Sequence, residues 1–338
     1  MRLAVVGAGQ ACAPHLQSLK DLDSELELAC VVARKASKLA TLNLPAGIRT
    51  SIRLEDILED TTIRAVLVLT PPNTHADIVE RLARAGKHVL VEKPLDVSLA
   101  KAQQMVDICE QSGVKLAVML QHRMRDASLA LARLIRDGSL GQLLSASASI
   151  RWWRPQSYYD EPGRGTMARD GGGVLMTQAI HTIDLLLSLT GMPDRVMAMA
   201  GTSATHRMEC EDTVAAVLRY PNGAIGHIDA TTAAWPGFPE RIALNFTLGS
   251  ATLEAGELHA ELIDGRKIQA GLKQATGSGA NPMAFDHAFH RAVLQDFLAA
   301  IRSDSEPAVT GRSALQAQRL IAAIMESSQR GAAVSIAS

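Results

Sequence analysis

The first 121 residues alternate short apolar runs with segments whose apolar side chains recur at helical spacing, and this alternation restricts the fold most. The runs are Arg2–Val6, Leu26–Val32, Ala65–Leu69, His88–Val91 and Lys115–Leu120. Between them lie patterns such as Ile78, Leu82 and Ala85, or Ala102, Met105, Val106 and Cys109, each gathering apolar groups on one helical face. Strand and helix in alternation bury both faces of a parallel sheet. The spacing predicts an α/β chain whose first domain, residues 1–121, is a doubly wound parallel sheet.

The texture changes near Gln121. A helix over about Ala127–Asp137 leads into strand-like alternation at Leu143–Trp152, Arg195–Thr202, Thr213–Tyr220, Ala224–Thr232 and Arg241–Leu248. Pro221-Asn222-Gly223 is a hairpin signal. Residues 122–338 therefore read as an α+β domain with a mostly antiparallel sheet. Two closing helical segments, within about 285–329, are expected to pack back toward the first domain. The Gly-, Ala- and Ser-rich stretch Ala270–Pro282 reads as a mobile loop. A second irregular connection, Arg154–Gly173, carries Tyr158, Tyr159, Arg164, Arg169 and Asp170. Long connections inside compact domains are usually functional, and this one reads as facing a substrate.

Length and charge exclude several partners. A chain of 338 residues suits two domains, and 34 basic against 35 acidic residues leave a net charge of −1. Nothing in that balance draws the chain to nucleic acid or membrane. No apolar run approaches bilayer length, and the chain enters its first strand without a signal peptide. Cys12, Cys30, Cys109 and Cys210 lack metal-like spacing, which points to thiols in a reducing cytoplasm and to no metal.

Gly7-Ala8-Gly9-Gln10-Ala11-Cys12 follows the first strand and opens a helix, the context a dinucleotide fingerprint needs. Gly7 permits the turn, and Gly9 lets the backbone approach a pyrophosphate at the helix N-terminus, beside Gln10 and Ala11. Cys12 stands where glycine or alanine is usual. The second strand ends in Ala33-Arg34-Lys35, with Lys38 beyond, where an acid would bind the ribose of NAD. Cations there suit the 2′-phosphate of NADP; the plainer reading is a solvated basic loop that takes either cofactor. Thr70, Pro71, Asn73 and His75 follow the third apolar run at the same sheet edge, as cofactor contacts or as a helix-starting turn.

Glu92-Lys93-Pro94 follows the fourth run. A residue before proline is held extended, so Lys93 leaves the strand in one direction, at the edge where such sheets bind ligands. Glu92 and Lys93 are thus further cofactor candidates. Downstream, Gly171-Gly172-Gly173 precedes a helix on which Thr177, His181 and Asp184 share a face. The glycines would let backbone approach a ligand. A core histidine is the alternative for His181, and a supporting role the alternative for Asp184.

Together these stretches resemble the glucose–fructose oxidoreductase, inositol dehydrogenase and rhizopine-catabolism (Gfo/Idh/MocA) family. Gly7-x-Gly9 with His15 is similar to its opening, Thr70-Pro71…Asn73…His75 to its third crossover, and Glu92-Lys93-Pro94 to its hallmark. Gly171-Gly172-Gly173…His181-x-x-Asp184 resembles its second-domain signature, and Phe297…Ala300-Ile301-Arg302…Pro307…Gly311 its last helices. The resemblance implies a Rossmann domain and an α+β domain whose open sheet mediates oligomer contacts, in a homodimer or homotetramer. It implies hydride transfer between NADP or NAD and a hydroxyl or carbonyl of a sugar, polyol or sugar derivative. By position, Lys93 would hydrogen-bond the reacting oxygen and His181 would be the acid/base. Arg123, Trp153, Tyr158, Arg164, Thr177 and Asp184 would hold the substrate. Thr177 departs from the aspartate many members carry there. That departure keeps open a non-catalytic cofactor-binding regulator, and a cofactor-dependent glycosidase of the same fold is the other alternative.

Overall fold

The computed structural model describes residues 1–9, 12–45, 47–275, 277–280 and 286–336. The chain divides into two compact units, Met1–Gln121 with Asp286–Leu315, and His122–Phe285 with Gln316–Ser338.

The first unit begins with β1 (Arg2–Val6), α1 (Cys12–Asp21), β2 (Glu27–Val32), α2 (Ala36–Leu39), β3 (Arg49–Ser51) and α3 (Glu55–Leu58). It continues with β4 (Ala65–Val68), α4 (His75–Arg84), β5 (His88–Val91), α5 (Leu99–Gln111) and β6 (Leu116–Val118). All strand pairs are parallel, in the order β3-β2-β1-β4-β5-β6. This is the doubly wound Rossmann order, whose direction reverses between β1 and β4. Every residue of β4 is buried, as the unbroken apolar runs demand of a sheet covered on both faces. The edge strand β3 adds a sixth member that the apolar runs did not announce.

The second unit opens with α6 (Asp126–Arg136), β7 (Leu143–Arg151) and two single turns, α7 (Gln156–Tyr159) and α8 (Met167–Asp170). A π-helical turn at Leu175–Ala179 runs into α9 (Ile180–Thr190). Strands β8 (Arg195–Gly201), β9 (Thr213–Arg219), β10 (Ile225–Thr231), β11 (Arg241–Phe246), β12 (Gly249–Glu254), β13 (Glu257–Leu262) and β14 (Lys267–Gly271) follow. The chain then gives the first unit α10 (Ala288–Ser303), which packs on α1 and β5, and the start of α11 (Gly311–Arg330). It ends in β15 (Val334–Ser335).

Nine strands form one mixed sheet, β14-β13-β12-β11-β7-β10-β9-β8-β15, antiparallel except for β7 with β10. The Pro221–Gly223 turn closes the β9–β10 hairpin: Tyr220 N donates to Ala224 O at 2.9 Å, and Gly223 takes φ 86°. Along β9 exposed and buried residues alternate, so one sheet face forms the core and the other lies open. Helices α6 and α9 cover the inner face. By length and composition alone Met167–Thr190 could cross a membrane, but 89% of its 18-residue apolar window is buried inside the protein, as in the core helix of a globular domain.

Candidate active site

In the first unit the turn after β1 is fixed by close approach. Gly7 takes φ 119°, and a Cβ there would lie 2.7 Å from the Leu69 carbonyl, so only glycine fits. A Cβ on Gly9 would meet nothing within 4 Å. The exposed Gly9 backbone at the N-terminus of α1 therefore leaves the open space that a pyrophosphate cradle requires. Gln10 and Ala11 lie outside the described residues. Ala33 is buried after β2, and Arg34, Lys35 and Lys38 are exposed.

Beyond β4, Thr70 Oγ1 accepts a bond from Thr74 Oγ1 at 2.8 Å, while Pro71 and Asn73 are exposed. His75 is 0% exposed, with Nδ1 at 3.0 Å from Pro94 O and Nε2 at 2.8 Å from Thr70 O. Its expected cofactor contact is thereby corrected: the imidazole ties the β4 turn to the Lys93-Pro94 turn. The Glu92 carboxylate is held by two neighbours. Oε1 lies 2.6 Å from His15 Nε2, and Oε2 accepts the Lys93 backbone N–H at 3.1 Å. Lys93 itself is half-buried two residues past β5.

His15, Glu92 and His290 form one cluster of metal-ligand type, with ligand atoms within 4.8 Å of one another. Two ligands on a tetrahedral zinc stand about 3.3 Å apart, given bonds of about 2.0–2.1 Å. The 2.6 Å between His15 and Glu92 is instead a charge-assisted hydrogen bond, and the two imidazoles meet edge-on at 5.2 Å.

In the second unit Gly173 closely approaches the Glu211 backbone. A Cβ on Gly173 would sit 1.7 Å from Glu211 O, so the approaching backbone belongs to the protein and not to a ligand. Glu211 accepts from Gly173 N at 3.0 Å and Leu175 N at 3.1 Å, capping the start of the π turn. Sequence reasoning missed this residue. Thr177 falls inside the π turn, where its hydroxyl donates to Gly173 O at 2.7 Å and contacts Gln178.

His181 is buried near the start of α9, its ring stacked on that of His122 with centroids 5.1 Å apart. Asp184 accepts from Arg123 Nε at 2.7 Å and Nη2 at 2.5 Å, a bidentate pair. Burial raises its carboxyl above the usual range while Arg123 opposes the shift. With both oxygens engaged and 1% exposure, Asp184 supports the helix rather than a substrate, which corrects its assignment to substrate binding.

The connection before the glycines joins several expected residues. Tyr158 Oη accepts from Arg164 Nη1 at 3.2 Å and from Gln178 Nε2 at 3.3 Å, and the Arg164 guanidinium lies 4.5 Å over the Tyr158 ring. Gln178, also missed, thus links Tyr158 to Thr177. Trp153 is half-buried and meets Trp235 edge-on at 5.5 Å. Arg154 is 2% exposed, bonding Gly279 O at 2.6 Å and Gly277 O at 2.9 Å. Arg169 reaches Pro162 O at 2.6 Å, and Arg164 Nη2 reaches Glu161 at 2.9 Å. All three arginines are thus engaged within the unit.

Residues 1–120 match the family model of oxidoreductases with an NAD-binding Rossmann fold, and residues 128–252 match the GFO/IDH/MocA C-terminal domain. An uncharacterized oxidoreductase of Schizosaccharomyces pombe, C115.03, is 30% identical over 65% of this chain and 61% of its own length, so the match spans about three fifths of that relative. A D-xylose 1-dehydrogenase (NADP(+)) of Haloferax volcanii is 28% identical over 93% of each chain. The WlbA dehydrogenase of Bordetella pertussis, solved with NADH and UDP-GlcNAcA, is 28% identical with a TM-score of 0.84 over 100% of this chain and 99% of that one. Two domain models of one family match in order on a Rossmann sheet and a mixed nine-stranded sheet, and the chain belongs to the Gfo/Idh/MocA family of oxidoreductases.

Proposed function

We propose that the protein is an NAD(P)-dependent oxidoreductase that moves a hydride between the nicotinamide and a hydroxyl or carbonyl carbon of a sugar, polyol or sugar derivative. The observation that carries this reading is Lys93, two residues past β5 in a sheet whose Gly7–Gly9 turn leaves room for a pyrophosphate. When bound, the cofactor supplies the hydride chemistry. Lys93 donates to the reacting oxygen and stabilises the negative charge that grows there. His181 takes the hydroxyl proton in oxidation and returns it in reduction. Tyr158, Arg164, Trp153 and Thr177 orient the substrate, and Arg123 anchors the α9 face through Asp184. The relatives named for D-xylose and UDP-GlcNAcA support a carbohydrate-like substrate.

NADP is the favoured cofactor. Arg34, Lys35 and Lys38 are exposed just past β2, and Ala33 stands where an acid would exclude the 2′-phosphate. The scattered cysteines, all four free and buried, support a cytoplasmic location. The test is a steady-state screen of sugars, uronates and inositols with both cofactors. NADP should give the higher kcat/KM, and Arg34→Ala should lower it about tenfold with NADP alone, the size of one lost charge-assisted pair. Equal loss with NAD and NADP would remove the phosphate role. Tight cofactor binding without turnover on any substrate would favour the regulator reading.

A further inference from the structure

Arg125 Nε, Thr182 Oγ1 and Glu240 Oε2 are among the buried polar atoms of the second unit for which the described residues supply no hydrogen bond. Their side chains line one cavity of about 20 Å³, together with His122 and Ser128. A polar cavity of roughly 10–15 Å³ or more holds one water when it offers two to four partners. The Arg125 guanidinium shares its wall with the carboxylates of Glu240 and Glu254. A water accepting from Arg125 Nε and donating to Glu240 Oε2 satisfies both, and the Thr182 hydroxyl supplies a third partner. Leaving such atoms unmatched in a buried site is unfavourable.

The other ends of these groups lead to His122. Arg125 Nη1 donates to Glu240 Oε1 at 2.6 Å, and Arg125 Nη2 lies 2.8 Å from His122 Nε2. Arginine has no acceptor, so His122 Nε2 must present a lone pair and the ring proton sits on Nδ1. His122 is then an uncharged ring, stacked on His181 at an interplanar angle of 30°. The uncharged state matters because a cationic neighbour would oppose a second positive charge on His181.

We propose that Arg125, Glu240 and one internal water hold His122 as a fixed, neutral ring, and that His122 is the positioning residue for the His181 imidazole. The catalytic half of this inference rests on the acid/base role proposed for His181; the water site and the tautomer do not.

The experiment combines a high-resolution crystal structure of the full chain with ¹⁵N-histidine NMR and kinetics. The structure should show one ordered water bonded to Arg125 Nε and Glu240 Oε2, and NMR should show His122 protonated at Nδ1 with Nε2 as acceptor. Arg125→Met should abolish that signature and lower kcat about tenfold, within the 10²-fold that a 1 Å misplacement can cost, with KM for the cofactor unchanged. Glu240→Gln, which keeps the side-chain volume, should weaken the same signature if Arg125→Met fails to fold. A dry cavity, or His122 protonated at Nε2 in the wild type, overturns the proposal. An unchanged kcat in a folded variant that has lost the signature overturns the positioning role. If the wild type turns over no substrate, the functional reading fails, while the water and the tautomer are still decided by the other two measurements.

Discussion

Glu92 sits where burial and hydrogen bonding oppose each other. Burial raises its carboxyl, but the bond from His15 and the charges of His15, His290 and Lys93 prevail and bring it down to about 2. For His290 burial prevails: reinforced by the charge on His15 and opposed by that of Glu92, it lowers the imidazole from 6.5 to about 4. Unfolded His290 therefore holds more protons than folded His290 between those values, so stability falls as pH drops through that window. Glu92, depressed from 4.5, extends the loss at lower pH. We predict that acidification from pH 7 to 4 costs roughly 3 kcal/mol through His290, read as a falling urea midpoint, and that His290→Asn flattens the fall. A wild-type midpoint constant between pH 7 and 5 would contradict this environment for His290.

Among the elements, the π turn and α9 carry His181, and Glu211 with Gly173 fixes where they begin. A methyl group on Gly173 would occupy the space of the Glu211 carbonyl. Gly173→Ala should therefore destabilise the protein by about 3 kcal/mol or more, with turnover falling as the turn shifts; a thermal midpoint within a degree of the wild type would refute the contact. No sequence pattern reveals such a partner, because a carbonyl 38 residues away has no side-chain signature. The same holds for Arg154, whose guanidinium binds the Gly277 and Gly279 carbonyls. The central strands were legible because burial on both faces makes them continuously apolar. Edge strand β3, Arg49-Thr50-Ser51, has no such run, and β12–β14 mix small and charged residues. Thr177, His181 and Asp184 were aligned on a regular helix, and the π turn alters that spacing at Thr177. What the sequence showed plainly was the order of motifs; what it hid was which of them face protein.

Across the molecule, the two units hold the proposed chemistry on different scaffolds, a parallel sheet for the cofactor and an open mixed sheet for the substrate helix. The outer face of that mixed sheet exposes Met197, Met199, Val217 and Ile225, with Met197 directly opposite Val217 across β8 and β9. We propose that these exposed apolar side chains join copies of the chain. Light scattering should then give a multiple of 36.0 kDa that Val217→Lys reduces to the monomer; a wild-type monomer would contradict it. We propose that Lys93 serves the reaction rather than the fold, and cofactor reduction by Lys93→Ala under saturating substrate decides it. The variant should lose at least about 10² in kcat, as removal of a preorganised charge-stabilising donor produces, with cofactor affinity changed little. Turnover equal to the wild type would contradict it.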